Sequence, residues 1–277
     1  MKFKDWQIKM FWEFKDNPDK IGRAVAKRYG LPWSSVFDHK KRIINGDINE
    51  ELLLKKPRIL LFDLETAPVL AHVWGLWNNN VSLNQLMEDW YMLSWSAKWL
   101  GEEKIYSDCL LNYPVDFSID PTNDIHIVET LSKLLNEADL VIAHNGRRFD
   151  VKKTKARLLK HGFSPLKSFR IIDTLDIAKK EFNLTSNKLD YLATYLGLPN
   201  KVEHEGHQLW VKCMNGDIDA WRKMMEYNEY DVELLEKVYL RLRAWDSKHP
   251  NLAVYYNDYK IRCNCCGSDD VVKTGGS

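Results

Sequence analysis

Long apolar runs are missing from this chain of 277 residues. The longest are far too short to cross a bilayer, and the N-terminus shows no secretory leader pattern. Both absences point to a soluble, cytoplasmic protein with no membrane partner. Cysteine is scarce as well: there are five, three of them crowded near the C-terminus, which is not the layout of a disulfide framework. An overall excess of charge of one sign is lacking too, since the formal net charge is +1. That balance hides an asymmetry. Residues 1–57 hold 13 Lys+Arg against 8 Asp+Glu, a net +5, which leaves −4 for the remainder. A basic front segment favours polyanionic partners, and an acidic remainder suits a site for divalent cations. Apolar residues are plentiful at 45%, with 11 Trp and 12 Tyr, enough for a packed core. The length implies one main domain with appendages.

The front segment reads as helical. Trp6, Met10, Phe11 and Phe14 form one stripe over residues 5–15, and Asp16-Asn17-Pro18 ends it. A second helix is expected from Asp19 to Tyr29, stopped at Gly30, and a third from Trp33 to Asn45. The spacing of Ala26, Gly30 and Val36 resembles a helix-turn-helix module. The third helix would then present Ser34, Ser35, His39, Lys40, Lys41 and Arg42 to nucleic acid. A plain three-helix bundle with a solvated charged face is the other reading of the same pattern. Residues 46–57 form the connector.

The middle of the chain alternates strands and helices. Residues 58–68 read RILLFDLETAP: Ile59 to Phe62 suit a buried strand, and Asp63 and Glu65, two apart, leave one face of it together. Two such carboxylates repel unless a cation lies between them, and their oxygens suit Mg²⁺ or Mn²⁺. Residues 71–87 look irregular, either a loop over the site or a surface excursion. Strands at Tyr91–Leu100 and Lys104–Leu111 would complete an antiparallel meander, followed by an amphipathic helix at Asp124–Asn136. Leu140–Ala143 is another buried strand, running into His144, Asn145 and a turn at Gly146. Asp150 then opens a helix to about Gly162, beyond the strand end where Asp63 and Glu65 emerge. A last strand, Ser168–Asp173, leads into a helix for which Asp173 reads as the cap, a structural role. Helices at 186–196 and roughly Asp217–Trp245 follow. On the latter, Tyr227 and Asp231 share a face, whereas Tyr230 points about 100° away.

FDLET, Asn145-x3-Phe149-Asp150 and Tyr227-x3-Asp231 together resemble the three exonuclease motifs of the DEDD superfamily of 3′→5′ exonucleases. The resemblance covers residues 58 to about 245. Glu226 stands where the His branch of that superfamily carries its histidine, so the chain is similar to the Tyr branch. The resemblance implies an α/β, ribonuclease-H-like mixed sheet flanked by helices, behind a small all-α module. It also implies two Mg²⁺ or Mn²⁺ ions, with Asp63 on both, Glu65 and Asp231 on the first and Asp150 on the second. Tyr227 would orient the attacking water. Thr66, His144, Asn145 and Phe149 would line the substrate. DNA with a free 3′ end is the expected substrate, with RNA and a non-catalytic DNA-binding scaffold as the alternatives.

Two weaker signals remain. His204 and His207, three apart, fall in a charged stretch from Lys201 to His207 that reads as a surface loop. Cys263-x2-Cys266-Gly267 resembles half of a zinc ribbon, but tetrahedral Zn²⁺ takes four ligands and no second C-x2-C follows. Either the polypeptide is truncated, a partner supplies ligands, or no zinc binds. The expected organisation is therefore a nucleic-acid-binding module over 1–56, a nuclease-like domain over 57–245, and a tail over 246–277.

Overall fold

The structure is a computed structural model that describes residues 3–199, 205–258 and 260–272. It divides into two compact units, Arg58–His249 and residues 1–57 with 250–277. Among the described residues no helix is long and apolar enough to cross a membrane.

The smaller unit is built on α1 (Asp5–Phe14), α2 (Arg23–Arg28) and α3 (Trp33–Ile44). The single second helix expected from Asp19 onward is instead a short 3₁₀ turn, Pro18–Lys20, followed by α2. Ile21 is the reason. It is buried in the core, and both it and Gly22 leave helical geometry to put it there. Gly30 adopts a left-handed φ of 64°, and the amide of Leu31 closes onto the carbonyl of Ala26, so the α2–α3 turn is a glycine-dependent cap. Met10, Phe11, Ala26, Val36 and Ile43 fill the core between the helices. Residues after 250 join this unit: Asn257 accepts from the amide of Lys55 (2.7 Å) and donates to the carbonyl of Leu53 (2.6 Å).

The larger unit carries a five-stranded mixed sheet. Its strands are β1 (Ile59–Thr66), β2 (Met92–Trp99), β3 (Ile105–Cys109), β4 (Leu140–Ala143) and β5 (Arg170–Asp173), in the spatial order β3-β2-β1-β4-β5. The first three form the expected antiparallel meander, and β1, β4 and β5 run parallel. Alternation sorts β1 between two environments. Leu60, Phe62 and Leu64 pack into a core with Ile127 and Leu131 of α4 (Ile125–Glu137) and Leu158 of α5 (Asp150–Lys160). Ile59, Leu61, Asp63 and Glu65 therefore face the other way.

After β5 come α6 (Thr174–Glu181), α7 (Leu189–Tyr195), α8 (His207–Met214) and α9 (Ile218–Leu242). The long α9 packs on β1 and β2. It buries Met224, Tyr227, Asn228, Asp231, Leu235 and Val238 along one stripe. The expected loop ending at His207 is corrected at its end, because His207 opens α8; Leu209 and Cys213, one turn apart, anchor that helix in the core. His204 lies outside the described residues. The stretch after β1 contains a short ribbon, Leu70–Ala71 against Leu86–Glu88.

A buried ion pair fixes the direction of α5. Asp124, fully buried, accepts from Arg157 (2.6 Å), from His161 (2.5 Å) and from the amide of Met92 (2.8 Å). Arg157 lies two turns along α5 from Asp150, so this anchor helps set where Asp150 sits.

Candidate active site

β1 delivers two carboxylates to one place. Asp63 stands opposite Ser96 and Glu65 opposite Ser94 on β2, and a bulge between Glu65 and Thr66 ends the regular pairing. Across that face, α9 contributes Asp231. Asp63, Glu65 and Asp231 each bring a carboxylate oxygen to within 4.8 Å of the other two. Neutral groups donate to them. Asn228 Nδ2 reaches Asp63 Oδ2 at 2.8 Å, and its own carbonyl oxygen accepts from Ser94 Oγ at 3.4 Å. Trp210 Nε1 reaches Glu65 Oε2 at 3.2 Å.

Tyr227 lies one turn before Asp231 and is buried. Burial first, then the charges of Asp231, Glu65 and Asp63 and a hydrogen bond to Asp231, push its phenol well above the ordinary value. The hydroxyl stays protonated at neutral pH and acts as a donor. The Trp210 ring meets Tyr227 edge-on, centroids 6.1 Å apart, and holds it from the far side.

Asp150 is not one of the three mutually close carboxylates. At the first position of α5, it is 2% exposed, and burial pushes its carboxyl up to about 7. Hydrogen bonds from its own backbone and that of Leu64 oppose the rise, and the charge of Asp173 adds to it. Its Oδ1 has no hydrogen-bond partner among the described residues. The approach to Asp150 requires Gly146, because a Cβ there would lie 2.3 Å from the Cβ of Ala143.

Asp173 takes the structural role expected for it. Its carboxylate accepts from Leu175 N as the cap of α6, and also from Asn145 N (2.9 Å) and Arg147 N (3.0 Å). One side chain thus shapes the turn that carries Asn145, whose φ is 68°. His144 Nδ1 lies 2.9 Å from Thr174 Oγ1, and burial lowers its pKa, so the ring is neutral at pH 7. Phe149 packs against the core just before Asp150. Thr66 is half-buried at the end of β1.

Three carboxylates with neutral donors and a protonated phenol make a fit for a hard divalent cation such as Mg²⁺ or Mn²⁺. A bound cation would offset their mutual repulsion. Sequence reasoning missed Trp210 and Asn228. Asn228 precedes Asp231 by three residues on a helix, a spacing that puts both on one face.

In the smaller unit, α3 exposes Ser34, Ser35 and Lys41, while Lys40 and Arg42 are half-buried. Lys40 pairs with Asp19 at 3.5 Å, Lys41 lies over the Phe37 ring and Arg42 over Phe3. His39 does not face outward and is removed from the expected contact set. It is 1% exposed, meets the carbonyl of Gln7 through Nε2 (2.9 Å) and stands edge-on to Trp6. Cys263 and Cys266 bracket a tight turn closed by Gly267 N to Cys263 O (2.9 Å). Among the described residues the cysteines belong to no group of three mutually close ligand atoms.

Residues 111–243 match a family model of the RNase_H superfamily. That span holds Asp150, Tyr227 and Asp231; Asp63 and Glu65 precede it. No curated protein matches the chain. Among solved structures, it is similar to the family B DNA polymerase from the hyperthermophilic archaeon Pyrobaculum calidifontis, at a TM-score of 0.51 and 14% identity. The similarity covers 67% of this chain but only 24% of the polymerase. The five-stranded mixed sheet flanked by helices is a ribonuclease-H-like fold.

Proposed function

We propose that the chain is a metal-dependent 3′→5′ exonuclease of the Tyr-branch DEDD type, acting on DNA with a free 3′ end. The observation that carries this reading is the convergence of Asp63, Glu65 and Asp231 within 4.8 Å, with the Tyr227 hydroxyl on Asp231. Asp63, Glu65 and Asp231 would hold one divalent cation, and Asp63 with Asp150 a second. When bound, such cations acidify water and neutralise charge on the phosphate and the leaving oxygen.

The chain's own groups do the rest. Tyr227, kept protonated by burial and by the acids around it, orients the attacking water by hydrogen bonding and does not serve as the base. Asn228 and Trp210 fix the rotamers of Asp63 and Glu65. Thr66, Asn145 and Phe149 lie close in sequence to these acids and would contact the terminal nucleotide, with neutral His144 near the strand end. The polymerase similarity supports DNA as the substrate class. In the smaller unit, Ser34, Ser35 and Lys41 of α3, with Lys40 and Arg42 beside them, would add non-specific phosphate contacts.

The test uses DNA and RNA, single- and double-stranded, labelled at either end, with Mg²⁺, Mn²⁺ or EDTA. Release of mononucleotides from the 3′ end of DNA, abolished by EDTA, is the expected result. Internal cleavage, or RNA hydrolysed in preference to DNA, would overturn the corresponding part of the proposal.

A further inference from the structure

Residues 67–87 contain no Asp, Glu, Lys or Arg, in a chain that is 29% charged. The same segment holds the largest exposed apolar groups of the larger unit. Trp74 is 100% exposed and Trp77 86%, with Leu76 and Leu83 equally bare. Single exposed apolar side chains are ordinary on a protein surface, but two bare tryptophans within four residues are not.

The segment is neither random in path nor remote from the acids. It leaves β1 directly after the bulge at Glu65–Thr66 and returns into β2, and Ala67 N bonds Tyr91 O (2.9 Å) across its base. Leu70 and Ala71 then pair with Glu88 and Leu86, and His72 and Gln85 exchange two bonds of 3.0 and 2.8 Å. Ser82 caps the return turn through Gln85 (3.0 Å). At the tip Asn78 adopts a left-handed φ of 56°, and the Asn79 side chain bonds the carbonyl of Gly75. This is a built ribbon with its root at the end of the strand that carries Asp63 and Glu65.

We infer that the ribbon tip, through Trp74 and Trp77, is a stacking platform for unpaired nucleobases of the strand whose 3′ end enters the acidic site. The inference rests on the nuclease reading above. Its chemistry selects the occupant. A segment without a cation cannot neutralise phosphates, and a membrane-surface element would carry Lys or Arg beside its aromatics. Bases offer neutral π-faces, which tryptophan stacks on without regard to sequence. The ribbon is rooted two residues after Glu65, at the end of the strand that carries the acids, and from Ala67 to Met87, tip included, it bears no charged side chain that would repel the backbone.

Binding decides the matter without any hydrolysis. Fluorescence anisotropy would follow the full chain, in EDTA, with an oligothymidylate about twelve nucleotides long and with a strand of equal length whose 3′ half is abasic. Trp74→Ala and Trp77→Ala should each raise Kd for the oligothymidylate by about 5- to 100-fold, the range for one lost base–aromatic stack. The abasic strand should bind all three proteins within about twofold of one another, since its phosphates are unchanged. Trp74→Phe should restore part of the loss. Unchanged Kd for the oligothymidylate, or equal weakening on both strands, would overturn the inference. So would a change of oligomeric state in Trp74→Ala by sedimentation, which would mean that a second copy covers the tip. Hydrolysis of the p-nitrophenyl ester of thymidine 5′-monophosphate with Mn²⁺ separates the two readings. A wild-type protein that binds bases but cannot cleave this ester refutes the nuclease and leaves the platform standing.

Discussion

Asp124 and Asp63 are carboxylates of the same unit, and the protein treats them in opposite ways. Asp124 is fully buried and meets the guanidinium of Arg157, the ring of His161 and a backbone amide. Asp63 is only half-buried, yet it faces Glu65 and Asp231, and the donors around the three include an amide, an indole and a phenol, all neutral. A buried charge that serves the fold is matched by a charge of opposite sign, because leaving it unmatched costs several kcal/mol. Three carboxylates drawn within 4.8 Å of one another form a set that could hold a cation. The contrast separates an acid that anchors the fold from the three proposed to hold a cation.

The contrast breaks first at its two centres. Asp63→Ala should lower turnover by more than about 10³-fold, the loss of several kcal/mol of charge stabilisation. Its metal-free stability should not fall, because one repelling charge is gone. Asp124→Ala should do the reverse: it strands Arg157 in the core and costs about 3–5 kcal/mol of stability, with activity per folded molecule changed only several-fold. Urea unfolding in EDTA and single-turnover rates at saturating Mn²⁺ check both. A strongly destabilised Asp63→Ala would show that the acidic cluster is a structural one.

Tyr227→Phe tests whether the phenol belongs to the reacting side. Turnover should fall about 10- to 1000-fold, as for the loss of one positioning donor, with the ring packing on Trp210 retained. Tyr230→Phe is the control. That hydroxyl donates to the carbonyl of Pro199 at 3.1 Å, away from the acids, and its removal should leave turnover within about twofold. A larger effect at Tyr230 would contradict the place of Tyr227 on Asp231.

Much of this arrangement is legible in the sequence, and the parts that are not have physical causes. Asp63 and Glu65 announce themselves because strand alternation and an apolar run give their direction without any tertiary contact. Asp150 and Asp231 follow from their places on helices. Trp210 does not. It stands on α8, a helix of two turns whose buried residues are Leu209 and Cys213, and only packing brings its indole to Glu65. His39 illustrates the opposite failure. Its basic neighbours suggest an outward face, yet Val36, His39 and Ile43 are spaced three and then four apart, and that stripe faces the core. The break in the second helix at Ile21 is likewise a tertiary effect, since burying one isoleucine outweighs the local preference to continue the helix.

Asp150 sharpens the comparison, being buried like Asp124 but set beside backbone amides and the like charge of Asp173. Its carboxyl is raised from 3.8 to about 7 in the folded protein. A raised pKa favours the neutral form, so its relative stabilisation is full below about 4 and is lost as pH rises through 7. In EDTA, Asp150→Asn should therefore gain about 1–4 kcal/mol over the wild type between pH 4 and 8, while losing activity with metal. Thermal melts of both proteins across that range measure it. Parallel curves would mean that Asp150 is already matched by a charge.

The smallest expected effect belongs to Trp210. Its indole N–H donates to Glu65 at 3.2 Å, and its ring meets Tyr227 edge-on. Trp210→Phe deletes the donor and keeps most of the aromatic contact. A hydrogen bond to a carboxylate is worth about 1.5–3 kcal/mol net, less than the charged pair on Asp124, so stability in EDTA should drop by no more than about that amount. Glu65 loses the group that holds its rotamer, so turnover should fall about 3- to 10-fold, with Mn²⁺ affinity changed by less than about tenfold. Urea unfolding and a Mn²⁺ titration of single-turnover rates give both numbers. If Trp210→Phe proved as destabilising as Asp124→Ala, Glu65 would depend on that indole as Asp124 depends on Arg157. The division between an acid held by Arg157 and acids that meet an amide, an indole and a phenol would then fail at the residue where it is easiest to test.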